Sequence, residues 1–361
     1  MRTTIFIIIL AVIFSCNEKN EKRVGIIQKT KIDSISSGGE LIEFAKKSDS
    51  SHSDFCYMTP QNYGKEFYST SKLKQKLDRM FPKSNLIKAD FDNNGYTDII
   101  LTGEVGSSFC VFALMSYGNN KYSTVLLTLP DFPSQFPVYP KLVYINKTPA
   151  IELYTRGSSC LEQENQIIKE TLIYKHNTFL EYNEKPQYLD VSKIEFRRTG
   201  CYGSCPVFNL TLRADSISNF RSIAYNYKPS RDKILSKILK ATMEIKDSKE
   251  QMKIKDNIIH NEVMKDKDSS VFKEIKGNYE MKFVKKDFEE ICQIIDYLNF
   301  DKLDKKCNVT TACGEASFLK IYFKDGTSKT ISIFERIDIR GLSLLYHKLS
   351  DLRFNQKWKK I

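Results

Sequence analysis

The alternation of apolar and polar residues predicts β-hairpins in the first half of the chain. Three pairs of runs rich in β-branched and aromatic residues are joined by short turns of Asn, Gly and Pro type, and the pairs are 109–117 with 121–129, 142–146 with 150–155, and 171–175 with 179–182. Ahead of them, apolar residues recur at helical spacing between Thr70 and Phe81, which predicts an amphipathic helix. We therefore expect a meander of hairpins with one helix packed on it.

The second half predicts strands together with two longer helices. Strands are expected at 193–198, 207–213, 317–323, 328–334 and from Gly277 onward, and helices at 286–299 and 341–352. The first helix has apolar residues at spacings of three and four, which would place them on one inward face. The dipeptide Asp325-Gly326 between two of the strands is a strong signal for a type I′ hairpin turn. An antiparallel sheet with packed helices is the expected result.

The predicted fold class is therefore α+β, with two small domains. A break in the strand pattern at Glu184-Lys185-Pro186-Gln187 separates residues 54–188, the hairpin meander with a helix, from residues 189–361, the antiparallel sheet with packed helices. The second domain carries an apparent insertion at about 228–276 that is rich in Lys, Asp and Glu. Such mixed charge runs are typical of a solvated helix face.

The N-terminus has the pattern of an export signal. Arg2 precedes an apolar run from Ile5 to Phe14, which is followed by Ser15 and Cys16. A Cys directly after a small residue resembles a bacterial lipoprotein signal, and the resemblance implies that residues 1–15 are removed and that Cys16 is lipidated. An ordinary signal peptide with an incidental Cys is the alternative.

The residues after Cys16 predict a tether. Segment 16–53 is polar at first and then rich in Ser and Gly, with few large apolar residues, so we expect it to be flexible. Together with a lipid on Cys16, this predicts a protein anchored in the cell envelope, in the outer membrane, on its periplasmic face or at the cell surface. The membrane would be one partner, contacted through the N-terminal lipid.

Composition narrows the class of partner. The chain of 361 residues has 56 Lys and Arg against 44 Asp and Glu, and much of the excess lies between Lys228 and Lys286. For an exported protein, a basic balance does not point to nucleic acid, so we expect an envelope protein or a glycan as ligand. No apolar run approaches the roughly 20 residues of a spanning helix, which excludes a polytopic membrane protein.

The segment Asp90-Phe91-Asp92-Asn93-Asn94-Gly95-Tyr96-Thr97-Asp98 has the spacing of a calcium-binding loop. The side chains of Asp90, Asp92, Asn94 and Asp98 supply oxygen atoms at positions 1, 3, 5 and 9, and the carbonyl of Tyr96 supplies one at position 7. It is not an EF-hand, because no Glu follows at position 12. The pattern resembles the loops of FG-GAP/VCBS-type repeats, and Ca²⁺ is the cofactor that this resemblance implies. A turn capped by its own Asx hydrogen bonds, without a metal, is the alternative.

A cysteine signature stands between two predicted strands of the second domain. The stretch Cys201-Tyr202-Gly203-Ser204-Cys205-Pro206 resembles a family of bacterial domains of unknown function with a C-x-G-x-C-P motif, and the likeness extends over about 190–355. That family lends no activity. In an exported protein we expect a disulfide between Cys201 and Cys205, while a redox-active dithiol and a zinc site shared with Cys307 and Cys313 are the alternatives.

The other cysteines allow several pairings. Cys307 with Cys313 is a candidate disulfide, as is Cys110 with Cys160, and eight cysteines besides Cys16 permit 105 full connectivities. Cys292, on the inward side of a predicted helix, is expected to behave as a small buried hydrophobe.

A search for catalytic residues finds no recognisable constellation. The four histidines, His52, His176, His260 and His347, lie at tether, turn, insertion and helix positions, and none is part of a metalloprotease or nucleophile motif. We therefore expect no enzyme but a binding or structural module with a Ca²⁺-stabilised loop. The competing hypothesis is a thiol- or metal-dependent envelope enzyme that uses Cys201 and Cys205.

Overall fold

The structure is a computed structural model of the chain. The structure describes residues 28–48, 56–58, 86–105, 108–128, 137–156, 167–201, 203, 205–214, 216–228, 250, 252–258, 273–303, 316–334 and 339–361. The chain is mainly β, with antiparallel sheets and a few helices, which agrees with the predicted α+β class. The predicted helix at 70–81 and most of the charged insertion lie outside the described residues.

A five-stranded antiparallel sheet forms the first layer. Its strands are β1 (Cys56–Met58), β2 (Lys88–Ala89), β3 (Asp98–Val105), β4 (Ser108–Ser116) and β5 (Tyr122–Leu126). The strand order is β1-β3-β4-β5, and β2 pairs with the same edge of β3 as β1 does, nearer its start. β4 is the central strand, and from Phe109 to Ser116 all of its residues are buried, because both faces of the sheet are covered.

Two helices cover one face of this sheet, where the sequence predicts a flexible tether. Helix α1 (Lys31–Ser34) and helix α2 (Gly38–Ser48) bury Ile32, Leu41 and Phe44 against the strands. The expectation for 16–53 is therefore wrong over residues 28–48. The physical reason is that the few apolar residues of this segment fall on one side of two short helices, so a polar average composition hides a complete apolar face.

A four-stranded antiparallel sheet packs on the other face. It consists, in spatial order, of β6 (Tyr139–Ile145), β7 (Thr148–Arg156), β8 (Ile167–Lys175) and β9 (Thr178–Glu181). Apolar side chains of the two sheets form one cluster, in which Ile100 and Met115 come from the first sheet and Ile151 and Leu172 from the second. This is a layered arrangement of helices, sheet and sheet.

A seven-stranded antiparallel sheet carries the signature cysteines. Its strands are β10 (Val191–Arg198), β11 (Val207–Arg213), β12 (Ile217–Ala224), β13 (Gly277–Lys282), β14 (Ala316–Phe323), β15 (Ser328–Phe334) and β16 (Lys359–Lys360), in the order β15-β14-β10-β11-β12-β13-β16. Helix α3 (Lys285–Leu298) and helix α4 (Arg340–Asn355) pack on one face of it. Strands β10, β11, β13, β14 and β15 and both helices agree with the predicted positions within a few residues, whereas β12 and β16 were not predicted.

Three of the hairpin turns have the backbone geometry of a type I′ turn, and a fourth does not. Both turn residues have positive φ at Asn119-Asn120, Asn146-Lys147 and His176-Asn177, as a type I′ turn requires. The second of these turns lies one residue earlier than the predicted Lys147-Thr148-Pro149, since β7 begins at Thr148. At Asp325-Gly326 only the Gly has positive φ, so the predicted type I′ geometry is wrong there. Asp325 instead accepts hydrogen bonds from the N–H and the hydroxyl of Thr327.

A polar contact joins the four-stranded sheet to helix α4. The Arg340 guanidinium donates two hydrogen bonds to Glu170, from Nε at 3.1 Å and from Nη2 at 2.6 Å. The carboxylate of Glu181 accepts the backbone N–H groups of Arg340 and Gly341 at the start of α4. Burial raises the pKa of Glu181, and the nearby charge of Glu170 adds to the shift. These groups lie on elements that are far apart in sequence, and they fix where α4 begins.

Among the helices that the structure describes, none is long and apolar enough to cross a bilayer.

Candidate metal centre

The loop 90–97 connects two strands that pair with each other, so its two ends are held close together. β2 pairs antiparallel with β3, with Ala89 opposite Asp98. Asn93 and Gly95 both have positive φ, which lets the chain turn sharply inside the loop. Phe91 points into the core between the two sheets, is 1% exposed, and meets the ring of Phe179 edge to face. The loop is therefore anchored from within.

Three of the predicted ligands meet in this loop. Carboxylate oxygens of Asp90, Asp92 and Asp98 all lie within 4.8 Å of one another. Asp98, the first residue of β3, is fully buried, while Asp90 and Asp92 are partly exposed. A divalent cation of the Ca²⁺ type takes several carboxylate oxygens from such a set. The donor set consists of oxygen atoms alone, which fits a hard cation and does not fit zinc held by thiolates.

Backbone N–H groups orient each of the three carboxylates. Asp98 accepts from the N–H of Phe91 at 2.9 Å and from the N–H of Ser116, at the end of β4, at 2.8 Å. Asp90 accepts from the N–H groups of Asn94 and Gly95. Strand β4 thus positions Asp98, the most buried of the three, through the backbone N–H of Ser116. The sequence pattern did not predict this role of Ser116.

The electrostatics of the cluster favour a bound positive charge. Burial raises the pKa of Asp98 to about 8, and the charges of Asp92 and Asp90 add to the shift. Burial also raises the pKa of Asp92 to about 6, with Asp90 contributing. The groups that oppose these shifts are backbone N–H donors, not basic side chains. A cation would remove the cost of crowding three carboxylates in a partly buried site.

Of the other two predicted ligands, the side chain of Asn94 is engaged elsewhere. The amide of Asn94 donates to Asp92 at 2.9 Å and to the Ser116 carbonyl at 2.7 Å, and its oxygen accepts the N–H of Tyr96. The predicted ligand from Tyr96 is its backbone carbonyl, and the ring of this residue packs against Gly118 without involving that oxygen. The bonds of Asn94 are the Asx contacts of the metal-free alternative, so geometry favours the three carboxylates over a set that includes the Asn94 side chain.

The N-terminal segment contacts the loop directly. The N–H of Gln28 donates to the carbonyl of Gly95 at 2.8 Å, and the hydroxyl of Thr97 donates to Asp33 at 2.7 Å. Sequence analysis missed these contacts because it assigned residues 28–48 to the tether. The spacing of Leu41, Phe44 and Ala45 was the available signal.

The signature cysteines lie in the connection between β10 and β11. The Sγ atoms of Cys201 and Cys205 are 1.96 Å apart, which is the distance of a disulfide bond. As a disulfide, neither sulfur is a thiolate, the form that zinc binding and nucleophilic attack require. The pair has the geometry of the predicted disulfide, in which neither sulfur is available to ligate zinc. A redox-active dithiol has this same geometry in its oxidised form, so that alternative stays open.

The remaining cysteines add no second centre among the described residues. Cys16, Cys160, Cys307 and Cys313 lie outside the described residues, so the pairings proposed for them stay predictions. Cys110 is buried in the cluster beneath α1 and α2. Cys292 on α3 is a partly buried thiol, and burial raises its pKa to about 12, which suits the predicted role as a small hydrophobe.

Comparison with known proteins gives one match. Residues 192–353 match the model of a family described as "Domain of unknown function (DUF6438)". The match supports the assignment of the C-terminal region to a domain of unknown function, and its bounds lie within three residues of the predicted 190–355. No curated protein and no solved structure matched the chain.

Proposed function

We propose that this chain is a lipid-anchored protein of the cell envelope, built from two small domains, that serves as a binding or structural module with a Ca²⁺-stabilised loop. Its C-terminal region matches a domain without an assigned activity, so the match does not indicate a reaction. The observation that carries the proposal is the meeting of three carboxylates, one of them fully buried, at the junction of the N-terminal helices and the first sheet.

The position of the loop favours a structural role for the cation. Its neighbours are the core residue Phe91 and backbone groups of β4 and of the N-terminal segment. A catalytic metal needs an open coordination position and a nearby base. Among the described residues, the side chains whose charges raise the pKa of Asp98 are Asp92 and Asp90. Both are proposed ligands, so neither would serve as the base. We therefore propose that Ca²⁺ stabilises the loop to which the N-terminal segment is hydrogen-bonded.

Calcium binding is tested by thermal unfolding and calorimetry of the exported chain, with EDTA or with added Ca²⁺. We expect a dissociation constant of about 10⁻⁴–10⁻³ M, the range of extracellular modules. At a Ca²⁺ concentration of about 10 mM, such a site raises the free energy of unfolding by roughly 1.5–3 kcal/mol. The substitution Asp92→Asn should abolish this rise, since it removes one charge from the cluster.

The same variant separates the two interpretations of the loop. With EDTA, Asp92→Asn is expected to leave the protein as stable as the wild type or more stable, because it relieves repulsion among three carboxylates. A self-capped turn without metal would show no response to Ca²⁺ in the wild type, and the wild type and the variant would then have the same stability with Ca²⁺ as with EDTA. Asp325→Asn, in an exposed turn of the seven-stranded sheet, is the matched control and should leave the Ca²⁺ response unchanged.

The pH dependence has a definite sign. The raised pKa values of Asp92 and Asp98 mean that protons compete with Ca²⁺, so affinity should fall as pH is lowered from about 8.5 to 5.5. Without a cation, the folded state holds a proton that the unfolded chain releases near the ordinary Asp pKa, so stability should fall as pH rises through this range. A Ca²⁺ affinity that does not change with pH would contradict the buried-carboxylate site.

The anchor and the disulfide are tested by intact mass of protein extracted from membranes under alkylating conditions, with and without reductant. We expect a lipid-modified Cys16, and alkylation of Cys201 and Cys205 only after reduction. An unlipidated mature chain would contradict the anchor. Alkylation of the two thiols without reductant would favour the thiol-dependent enzyme.

A further inference from the structure

The seven-stranded sheet has one face that the described helices leave uncovered. Residues alternate across the sheet, so that Phe196, Leu210 and Leu319 are buried under α3 and α4. The residues between them point to the opposite face, where the structure describes no helix. This second face carries charged and polar side chains, as an uncovered sheet face usually does, and the aromatic ring of Phe318 lies among them.

A cavity of about 390 Å³ lies on this face across strands β11, β10, β14 and β15. Strand register places its lining residues in two cross-strand rows, one with Thr211, Glu195, Lys320 and Thr330 and one with Asn209, Arg197 and Phe318. The volume falls within the range of small-molecule sites, about 300–1,000 Å³. Because the lining residues belong to four paired strands, the site is held by the sheet and does not depend on a loop.

The charges at this cavity do not cancel. Glu195 is paired with Lys193, whose Nζ lies 2.8 Å from it, and accepts the Tyr322 hydroxyl at 2.9 Å. Lys320, opposite Glu195 in register, also acts on it through its charge, so one carboxylate stands against the three cations Lys193, Arg197 and Lys320. Arg197 and Lys320 make no ion pair with any described residue; the Arg197 guanidinium lies 5.9 Å from the ring centre of Phe318, and Lys320 Nζ lies 4.5 Å from that of Tyr322. Two cations over aromatic rings thus flank a cavity with apolar walls.

The wall also contains an amide with an unmet acceptor. Asn209 Oδ1 is buried and has no hydrogen-bond donor among the described residues. A buried acceptor without a donor is uncommon in folded proteins and is frequently explained by function. A ligand that carries an N–H group would supply the donor that Oδ1 lacks.

We infer that this cavity binds a small organic carboxylate with an apolar body and an adjacent N–H group, of the class of N-acylated amino acids or peptide C-termini. The carboxylate would lie between Arg197 and Lys320, the apolar body against Phe318, and the N–H group would reach the Asn209 amide. The inference goes beyond the proposed function, because it needs neither Ca²⁺ in the loop nor a lipid on Cys16.

The test is a titration of the folded chain, in EDTA, with N-acetyl-L-phenylalanine followed by saturation-transfer NMR. A ligand of this size is expected to bind with a dissociation constant of about 1 mM. The neutral N-acetyl-L-phenylalaninamide should bind about tenfold more weakly or worse, because it lacks the charge that Arg197 and Lys320 face. Inorganic phosphate, which has charge but no apolar body, should compete only weakly.

Variants identify the site. Arg197→Gln and Lys320→Gln should each weaken binding about tenfold. Thr211→Trp should block the cavity by volume, and it provides a test that does not alter charge. Lys282→Gln changes a cation on β13, in register with Ile217 and away from the cavity lining, and should leave binding unchanged within about twofold. Circular dichroism and the thermal midpoint show whether each variant is folded.

The outcomes divide clearly. Equal binding of the acid and the amide, binding unaffected by Arg197→Gln and Thr211→Trp, or no binding up to about ten times the expected dissociation constant would each overturn the inference. If the tripeptide acid N-acetyl-Ala-Ala-Phe binds more tightly than the single residue, the source is a peptide C-terminus, and otherwise it is a free acylated amino acid. Because EDTA is present throughout, these results do not depend on whether the loop binds Ca²⁺.

Discussion

Replacing Arg340 with Leu is expected to lower the free energy of unfolding by about 3 kcal/mol, because it leaves the carboxylate of Glu170 without its cation in a partly buried place. The guanidinium is 9% exposed and makes two hydrogen bonds to Glu170. Its loss also leaves two neighbouring carboxylates, Glu170 and Glu181, with unrelieved repulsion. Denaturant unfolding gives the free energy, and calorimetry would show whether the transition splits in two.

The origin of the effect is tested with a double-mutant cycle. Glu170→Gln combined with Arg340→Leu should recover part of the loss, since it removes the charge that the single variant leaves unpaired. Lys348→Leu is the matched control on the same helix, because Lys348 pairs with Glu290 at 3.5 Å in an exposed position and should cost about 0–1 kcal/mol. If Arg340→Leu costs no more than Lys348→Leu, the contact with Glu170 does not hold the sheet to α4.

Replacing Phe44 with Ala is expected to lower the free energy of unfolding by about 3–5 kcal/mol. Phe44 on α2 is 8% exposed and meets the ring of Tyr122 edge to face, with ring centres 5.0 Å apart. Truncation would leave a cavity between α2 and the first sheet. Chemical denaturation measures the loss, and Glu43→Ala, one residue earlier on the exposed side of α2, should change the stability by less than about 0.5 kcal/mol.

This prediction separates two descriptions of the N-terminal segment. In a flexible tether, Phe44→Ala would have no more effect than Glu43→Ala. A large difference between the two variants would show that residues 28–48 belong to the folded unit. The Ca²⁺ response provides a second readout, because the segment contacts the loop through Gln28 and Asp33, and loosening it should weaken the binding of Ca²⁺.

The features that the sequence predicted are those encoded locally. Turn residues such as Asn119-Asn120 and His176-Asn177 lie at hairpin turns because Asn and His tolerate positive φ, and this is visible within a few residues. The apolar spacing of α3, with Phe288, Ile291 and Ile295 buried, is equally local. The spacing of oxygen-bearing side chains in the loop predicted that Asp90, Asp92 and Asp98 lie close together, and they do. This too is local, since a nine-residue turn places its own members close to one another.

What the sequence did not predict depends on distant partners. The pairing of Glu170 with Arg340 joins residues 170 positions apart, and neither has a pattern that identifies the other. Ser116 positions Asp98 through a backbone N–H, which leaves no trace in the type of side chain. The N-terminal helices were missed for a different reason, because the Ser and Gly residues at 34–39 dominate the composition of the segment. These short helices are stabilised by packing their apolar face on the first sheet, which the local sequence does not reveal.

The contact between Gln28 and the loop has a mechanical consequence. Under the proposed membrane anchor, tension along the chain reaches the described residues from the side of Gln28, whose N–H is bonded to Gly95 within the carboxylate loop. The isolated parallel bridge between Gln28 and Tyr96 bears that load first, and Asp33 with Thr97 bears it next. A cation that stiffens this loop would then set the force at which the anchored end peels away, so that the calcium concentration outside the cell would regulate how firmly the protein resists tension.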